Sequence, residues 1–441
     1  MYKYKPKDYA LGVQHLLAMF GSTVLVPLIT GLSPSVALFT AGIGTLLFHL
    51  CTKGIVPVFL GSSFAFIPAL CTIIGEDHTG IQAAQFGIMA AGAVYLVFSL
   101  LAKVLGADAL RKLFPPVVTG PVIIIIGLSL TSVGIHDAMG LLPTDSFVIN
   151  ASTMHNLIIA LFTFAIVAIG MNSRFKLWRM IPILFGIIFG YLLCVILHVT
   201  GLFKMDFSPI VNAPWINIPY RNGFFTLPKV NWQAVFVIAP IAIVTFMEHI
   251  GDITTNGAVV GKDFFKEPGL HRTLLGDGLA TMIAGFFGGP CNTTYSENTG
   301  VLASTGNYNP ALLRLAAVFA MFLGLLGKFG AVLQTIPQPV KGGVEIVLFG
   351  MIASIGIRTI GEAKLNLADT RNLSIMGATL CCGIGLGGGV PLVIHGVTVN
   401  ISALFVATVV GVIMNLVLPK SMNPLAAAEK DNEPNEITKG K

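Results

Sequence analysis

Charged residues are scarce in this chain. Asp, Glu, Lys and Arg together account for 10% of its 441 residues, whereas 54% are hydrophobic. A soluble globular protein carries about 25% charged residues. Apolar runs of roughly 20 residues, the length that a helix needs to cross the hydrocarbon core, recur along the sequence. The composition therefore excludes a soluble domain and predicts an all-α polytopic membrane protein.

Several chemical signatures are missing as well. The sequence has no Gly-Lys-Ser/Thr phosphate loop, no zinc-ligand spacing and no nucleophile elbow. A GxGxxG pattern within residues 383–390 follows an apolar span rather than a strand, so it is not interpreted as a dinucleotide site. The six cysteines lack CxxC spacing and are interpreted as buried thiols. We therefore predict neither an enzyme nor an ATP-driven pump, and we expect no metal and no cofactor.

Hydropathy predicts fourteen membrane-spanning segments. They lie near residues 10–30, 34–50, 57–74, 82–104, 115–135, 154–172, 179–200, 232–257, 271–289, 291–306, 310–333, 338–357, 370–387 and 396–418. The basic residues 1–9 precede the first span without a cleavage site of small residues, so they are predicted to be a cytoplasmic tail. Residues 201–231 are the longest predicted external loop, and residues 419–441 are predicted to be a disordered cytoplasmic tail.

Lys and Arg residues are distributed unevenly between the predicted loops. All but five of the 26 fall on one side of the membrane, and the exceptions are Lys204, Arg221, Lys229, Lys328 and Lys341. Cytoplasmic loops carry such an excess of positive charge. We therefore predict cytoplasmic N- and C-termini, and we attribute the net charge of +6 to topology rather than to nucleic-acid binding.

Two segments share a pattern that indicates an internal repeat. Residues 116–135 and 339–357 match at five positions with one constant offset: Pro116/Pro339, Val117/Val340, Gly120/Gly343, Ile123/Ile346 and Gly127/Gly350. A repeat of seven spans, an odd number, has to be inverted in the membrane. The pattern therefore predicts two inverted repeats of seven segments.

Residues 290–306, PCNTTYSENTGVLASTG, place seven polar or semi-polar residues in succession where a further span is expected. Lipid satisfies no hydrogen bonds, so this segment must be buried in protein or line a watery cavity. We interpret it as a short extended stretch followed by a half-helix of about ten residues that begins near Glu297. The unpaired N–H groups at a helix start favour a carboxylate and a polar ligand.

The repeat predicts a partner for this stretch in the third span. Residues 61–66, GSSFAF, have the same order of two small residues and an aromatic as Thr293, Thr294 and Tyr295. We predict that the two short extended segments, in spans 3 and 10, face each other and are each followed by a half-helix. The alternative is that GSSFAF is a Gly/Ser kink in a packed helix.

Ionisable residues inside the membrane are costly and are therefore functional candidates. Glu248 is expected near the midplane, and Asp252 shares its helix face at i+4, whereas His249 is rotated away by about 100°. Two carboxylates on one face resist being ionised together, so one is expected to hold a proton. The alternative for all three residues is a structural role. Asp277 is expected to serve structure, and Lys341 and Glu345, at i and i+4, are expected to form a structural pair.

Six stretches together resemble one transporter family. They are QHLLAMFGSTVLVP (14–27), GSSFAF (61–66), EHIGD (248–252), PGLHR (268–272), NTTYSENTG (292–300) and ENTGVLASTG (297–306). The sequence resembles the nucleobase/ascorbate transporters, or nucleobase:cation symporters type 2, and in particular their bacterial uracil-transporting members. The resemblance implies a core domain (residues 10–104 and 232–333), a gate domain (115–200 and 338–418), a homodimer, and proton symport by movement of one domain against the other.

The resemblance also implies residue roles. Glu248 and Glu297 would hold the pyrimidine, the backbone amides of Phe64 and Ser296 would meet its carbonyl groups, and Tyr295 would complete the substrate-binding set. The proton-coupling candidates are Glu248, Asp252, His249 and Glu297, and the supporting candidates are Ser63, Thr294 and Asn298. Two positions depart from the family: similar permeases can carry His where Asp252 stands, and Gly is replaced by Ser296.

These expectations combine into a proton-coupled uracil importer of a bacterial inner membrane, with uracil and the lipid bilayer as partners and H⁺ as the coupling ion. A xanthine or urate carrier is the alternative, although similar purine members usually open the signature with Gln where Glu297 stands. An anion exchanger of the sulfate-transporter fold would be expected to have a large soluble C-terminal domain and a cationic site. A passive channel would show no concentrative uptake.

Overall fold

The computed structural model of the protein describes residues 4–419, apart from residues 76, 107–108, 110–111, 143–144, 218–224, 388 and 395–396. Part of the predicted external loop and nearly all of the predicted C-terminal tail lie outside the described residues. The first half contains α1 (Pro6–Thr30), α2 (Pro34–Cys51), β1 (Leu60–Ser62), a 3-10 turn (Phe64–Phe66), α3 (Ile67–Ile74), α4 (Ile81–Leu105), α5 (Pro116–Ser129), α6 (Thr131–Met139), α7 (Ala151–Met171), α8 (Lys176–Met180), α9 (Pro182–Val199) and α10 (Ser208–Asn212).

The second half repeats this mixture of long and broken helices. It contains α11 (Trp232–Ile238), a 3-10 turn (Ala239–Ile241), α12 (Ala242–Val260), a kinked turn (Phe265–Gly269), α13 (Leu270–Phe287), β2 (Asn292–Thr294), α14 (Ser296–Thr305), α15 (Pro310–Leu325), α16 (Gly327–Gln334), α17 (Gln338–Glu362), α18 (Thr370–Gly385), β3 (Val390–Ile394), β4 (Val397–Ile401) and α19 (Ala403–Val417). Eight helical segments of the described residues are long and apolar enough to cross a membrane. The protein is therefore a multi-pass, predominantly helical membrane protein.

The long helices pack in two groups. Helix α13 lies against α4 and α2, and α15 lies against α2 and α1. In the second group α17 packs against α5, α6 and α7, while α18 and α19 pack against each other and against α5. Contacts between the groups are fewer and include α12 with α5 and α19. The first group contains β1, β2 and the two short helices that follow them.

Strands β1 and β2 pair antiparallel, with Leu60 opposite Thr294, Gly61 opposite Thr293 and Ser62 opposite Asn292. The pairing continues past the strands, because Ser63 N–H donates to Cys291 O at 2.9 Å and Tyr295 N–H donates to Phe59 O at 3.0 Å. Each strand leads directly into a short helix. The chain therefore crosses this part of the bundle as two extended segments held side by side.

Three features differ from expectation. The last predicted span was expected to begin at residue 396, but β3 and β4 form an antiparallel hairpin and α19 begins only at Ala403. The Val- and Ile-rich sequence there is compatible with either strand or helix. A short helix, α10, lies in the predicted external loop. The expected pair of Lys341 with Glu345 is wrong, because Lys341 Nζ instead lies 3.6 Å from Asp137 Oδ2 of α6.

Helices α5 and α17, which contain the repeated sequence pattern, pack directly on each other. A Cβ atom at Gly127 would lie 2.5 Å from Ala353 N and 2.6 Å from Phe349 O, so only glycine permits this approach. At its counterpart Gly350, a Cβ atom would have no neighbouring atom within 4 Å. The two repeat positions therefore have different packing requirements.

We expect Gly127→Ala to destabilise the protein by about 1–3 kcal/mol, because the methyl group overpacks a backbone contact. Gly350→Ala is the matched control and should be neutral or slightly stabilising, since alanine favours a helix. Thermal unfolding of the purified proteins in detergent measures both. Equal unfolding temperatures for the two variants would contradict the packing described for α5 and α17.

Candidate transport site

The site is built where the two strands end and the two short helices begin. Phe64 is the first residue of the turn that leads into α3, and Ser296 is the first residue of α14. N–H groups in the first turn of a helix have no partner within the helix and lie at its positive dipole end. Ser296 is exposed and Phe64 is half-buried. Both backbone N–H groups therefore belong to positions suited to bind carbonyl oxygens.

Glu297 is the second residue of α14 and is half-buried. Its Oε1 accepts a hydrogen bond of 2.8 Å from Ser22 Oγ, which lies on α1. This contact fixes the carboxylate beside the helix start. Ser22 was not among the residues predicted for the site, although it lies inside the stretch 14–27 that supported the family resemblance.

Glu248 lies on α12 and is also half-buried. It is an electrostatic neighbour of Glu297 and of Asp277. Among the described residues, no group donates a hydrogen bond to its carboxylate and no Lys or Arg forms an ion pair with Glu248, Asp252 or Glu297. Two half-buried carboxylates are thus electrostatic neighbours without a cationic partner among the described residues, so a proton or the hydrogen-bond donors of a ligand could balance them.

Side chains tie α12 to the strand-helix unit of residues 292–305. Thr294 Oγ1 donates a hydrogen bond of 2.7 Å to Asp252 Oδ2. One turn further, Asn256 Nδ2 donates to Thr299 Oγ1 of α14 and to Pro57 O, both at 3.0 Å. Asp252 therefore has a partner in β2, whereas Glu248 on the same face has its carboxylate free for other partners.

His249 points away from Glu248 into a fully buried group. Its Nδ1 lies 2.9 Å from Asp277 Oδ2, and its Nε2 lies 2.9 Å from Thr273 Oγ1. Because Thr273 Oγ1 donates to Leu270 O at 2.9 Å, it accepts a hydrogen bond from His249 Nε2–H. The 2.9 Å contact between Nδ1 and Asp277 Oδ2 holds one proton between the two atoms, which pairs the buried carboxyl group with the imidazole. Asp277, expected to serve structure, is thus the partner of His249.

The other predicted residues form the framework. Tyr295 is buried, and its hydroxyl donates to Ser62 O at 2.8 Å while accepting from Thr23 Oγ1 at 3.3 Å. Ser63 is buried at the end of the strand ladder, and Asn298 Nδ2 donates to His15 O at 2.9 Å. The roles assigned to these residues stay predictions. The Tyr295 side chain joins α1 to β1, and the Asn298 side chain joins α1 to α14.

Comparison with known proteins identifies the family of the chain. The permease family Xan_ur_permease matches residues 7–390. The chain belongs to this nucleobase/ascorbate family of permeases, which are transporters rather than enzymes. It is 43% identical to a probable uracil permease of Pasteurella multocida over 95% of both chains. It is also 43% identical to the uracil permease of Bacillus caldolyticus, over 93% of this chain and 91% of the relative.

Solved structures share the fold at low sequence identity. The transmembrane domain of the cyanobacterial bicarbonate transporter BicA is 15% identical with a TM-score of 0.61, and it covers 93% of this chain and 97% of that one. Murine Slc26a9, an anion transporter in the inward-facing state, is 13% identical with a TM-score of 0.68 over 97% of this chain and 70% of that one. These likenesses concern the fold alone.

We expect His249→Leu to lower stability by about 3–5 kcal/mol, because it leaves Asp277 buried without its partner. The double variant His249→Leu/Asp277→Leu should recover most of the loss, since apolar residues often replace a buried pair at little cost. Thermal unfolding in detergent measures all three proteins. A double variant no more stable than His249→Leu would show that the pair does not act as a unit.

Proposed function

We propose that the protein is a proton-coupled uracil importer that works by alternating access. The observation that carries this proposal is the juxtaposition of Glu248 and Glu297 with the strand ends at Phe64 and Ser296. The similarity to proteins named uracil permeases supports the substrate. Secondary transporters bind substrate where discontinuous helices meet near the midplane, which agrees with a site built on two half-helices.

The proposed site complements the functional groups of uracil. Uracil has two N–H donors and two carbonyl acceptors. Carboxylates accept hydrogen bonds and helix-start N–H groups donate them, so Glu248 and Glu297 would take the N–H groups while Phe64 N–H and Ser296 N–H would take the carbonyl oxygens. Ser22 would orient Glu297 through its 2.8 Å hydrogen bond.

The proposed proton carrier is Glu248. It is an electrostatic neighbour of Glu297 and has no hydrogen-bond donor among the described residues, so a proton would relieve the repulsion between the two carboxylates. Asp252, bound to Thr294, would tune this proton, and the His249–Asp277 pair would hold α12 against α13. Glu297, stabilised by the start of α14, would chiefly bind substrate.

The proposed architecture has fourteen segments in two inverted repeats of seven. Residues 10–104 and 232–333 would form the core domain, and residues 115–200 and 338–418 the gate domain. The two packing groups of helices are consistent with this division. We further propose a homodimer in a bacterial inner membrane with both termini in the cytoplasm, and H⁺ as coupling ion without a cofactor.

Uptake of radiolabelled uracil into proteoliposomes tests the function. We expect accumulation that requires an inward proton gradient, collapses with a protonophore and resists competition by excess xanthine. Accumulation of xanthine instead would favour the purine carrier. Gradient-independent equilibration of uracil would contradict coupled transport.

We expect Glu248→Gln to abolish proton-driven accumulation while retaining uracil counterflow, because the neutral amide mimics a permanently protonated site. Glu297→Gln should weaken uracil binding roughly ten- to a hundredfold, since a charge-assisted hydrogen bond contributes about 1.5–3 kcal/mol. Glu362→Gln is the matched control, because Glu362 is exposed on α17 in a surface pair with Arg358. Proton-coupled accumulation by Glu248→Gln at the wild-type level would refute the assignment of the proton.

A further inference from the structure

A second group of ionisable side chains lies between α6 and α17, on different helices from Glu248 and Glu297. Lys341 Nζ is 3.6 Å from Asp137 Oδ2, and the two side chains are 14% and 13% exposed. Gln338 Nε2 donates a hydrogen bond of 3.2 Å to Asp137 Oδ1. One turn after Lys341 along α17 is Glu345, which is completely buried.

Glu345 has no donor for either carboxyl oxygen among the described residues. An ionised carboxylate in that position would be buried without a hydrogen bond, which is strongly unfavourable. Asp137 is the nearest acidic group among the electrostatic neighbours of Glu345. Since one lysine cannot neutralise two neighbouring carboxylates, a proton on Glu345 would remove the unfavourable buried charge.

The position of this group connects it to both water and the transport site. Gln338 lines a cavity of about 600 Å³ whose polar lining also includes His155, Asn156, Lys204 and Asp206, on the side predicted to be external. In the other direction, Phe349 lies one turn beyond Glu345 and contacts the ring of Phe64 edge-on, with centroids 6.2 Å apart.

The titratable groups that face this pair come from three elements. Lys341 lies on the same helix as Glu345, Asp137 and its neighbour His136 lie on α6, and the thiol of Cys71 approaches from α3. Helices α7 and α9 also pack on α17. Among the described residues, the electrostatic neighbours of Glu345 are Asp137 and Lys341, besides Cys71.

We propose that Glu345 is a second proton-binding site, which shares its proton with Asp137 and exchanges it with water in the cavity lined by Gln338. The site is separate from Glu248 and Glu297. Its use during transport rests on the proposed proton-coupled function, whereas proton binding itself does not.

Infrared difference spectroscopy of the purified protein tests this proposal without transport. At neutral pH we expect the wild type to show a protonated-carboxyl band that Glu345→Gln lacks and that disappears reversibly at alkaline pH. The control Glu362→Gln should keep the band, because Glu362 is exposed and paired with Arg358. A Glu345→Gln spectrum identical to the wild type would overturn the proposal.

Transfer into deuterium oxide tests the connection to the cavity. Gln338→Leu should keep the band but slow its deuterium shift severalfold, because it removes the link between Asp137 and the cavity. An unchanged exchange rate would refute exchange through Gln338. A wild type that shows the band but accumulates no uracil would refute the proposed function and leave this site intact.

Discussion

The structure depends on pairing backbone groups that no lipid can satisfy. Strands β1 and β2 bind each other along one edge, and each outer edge is bound by side chains from a neighbouring helix. Thr45 accepts from Leu60 N–H at 2.9 Å, and Thr281 donates to Asn292 O at 3.1 Å. Non-helical backbone inside a membrane protein is stable only when neighbouring protein groups form hydrogen bonds with it. The helices around the ladder are therefore a requirement of the site and cannot be separated from it.

The position of the strand pair inside the bundle has an electrostatic consequence. Extended segments that end inside the bundle leave two helix starts there, and these attract negative charge. Glu297 takes one such position and Glu248 on α12 is its electrostatic neighbour, while the buried Asp277 is paired with His249. The protein thus pairs Asp277 internally, whereas Glu248 and Glu297 have no Lys or Arg partner among the described residues.

The sequence was most informative where a polar segment interrupts apolar membrane-spanning sequence. The polar run at residues 290–306 stands out in an apolar chain, and the structure has β2 and the start of α14 there. Spacing along one helix was less reliable: Lys341 and Glu345 fit an i, i+4 pair, but Asp137 from α6 lies closer to the lysine. The hydrogen bonds of Ser22 with Glu297 and of Asp277 with His249 join different helices, so the sequence alone did not predict them. The hairpin β3–β4 was missed because its apolar residues fit a helix equally well.

The strand ladder also constrains how the protein is made. Tyr295 binds Ser62 across 233 residues of chain, so β1 enters the membrane long before its partner exists. At about 5–20 residues per second, synthesis leaves β1 unpaired for roughly ten to fifty seconds. During that interval the unpaired N–H and C=O groups of β1 need hydrogen bonds from water, from a neighbouring helix or from the insertion machinery. The candidate transport site is therefore completed late in biosynthesis, and a chain interrupted before residue 292 lacks the partner strand altogether.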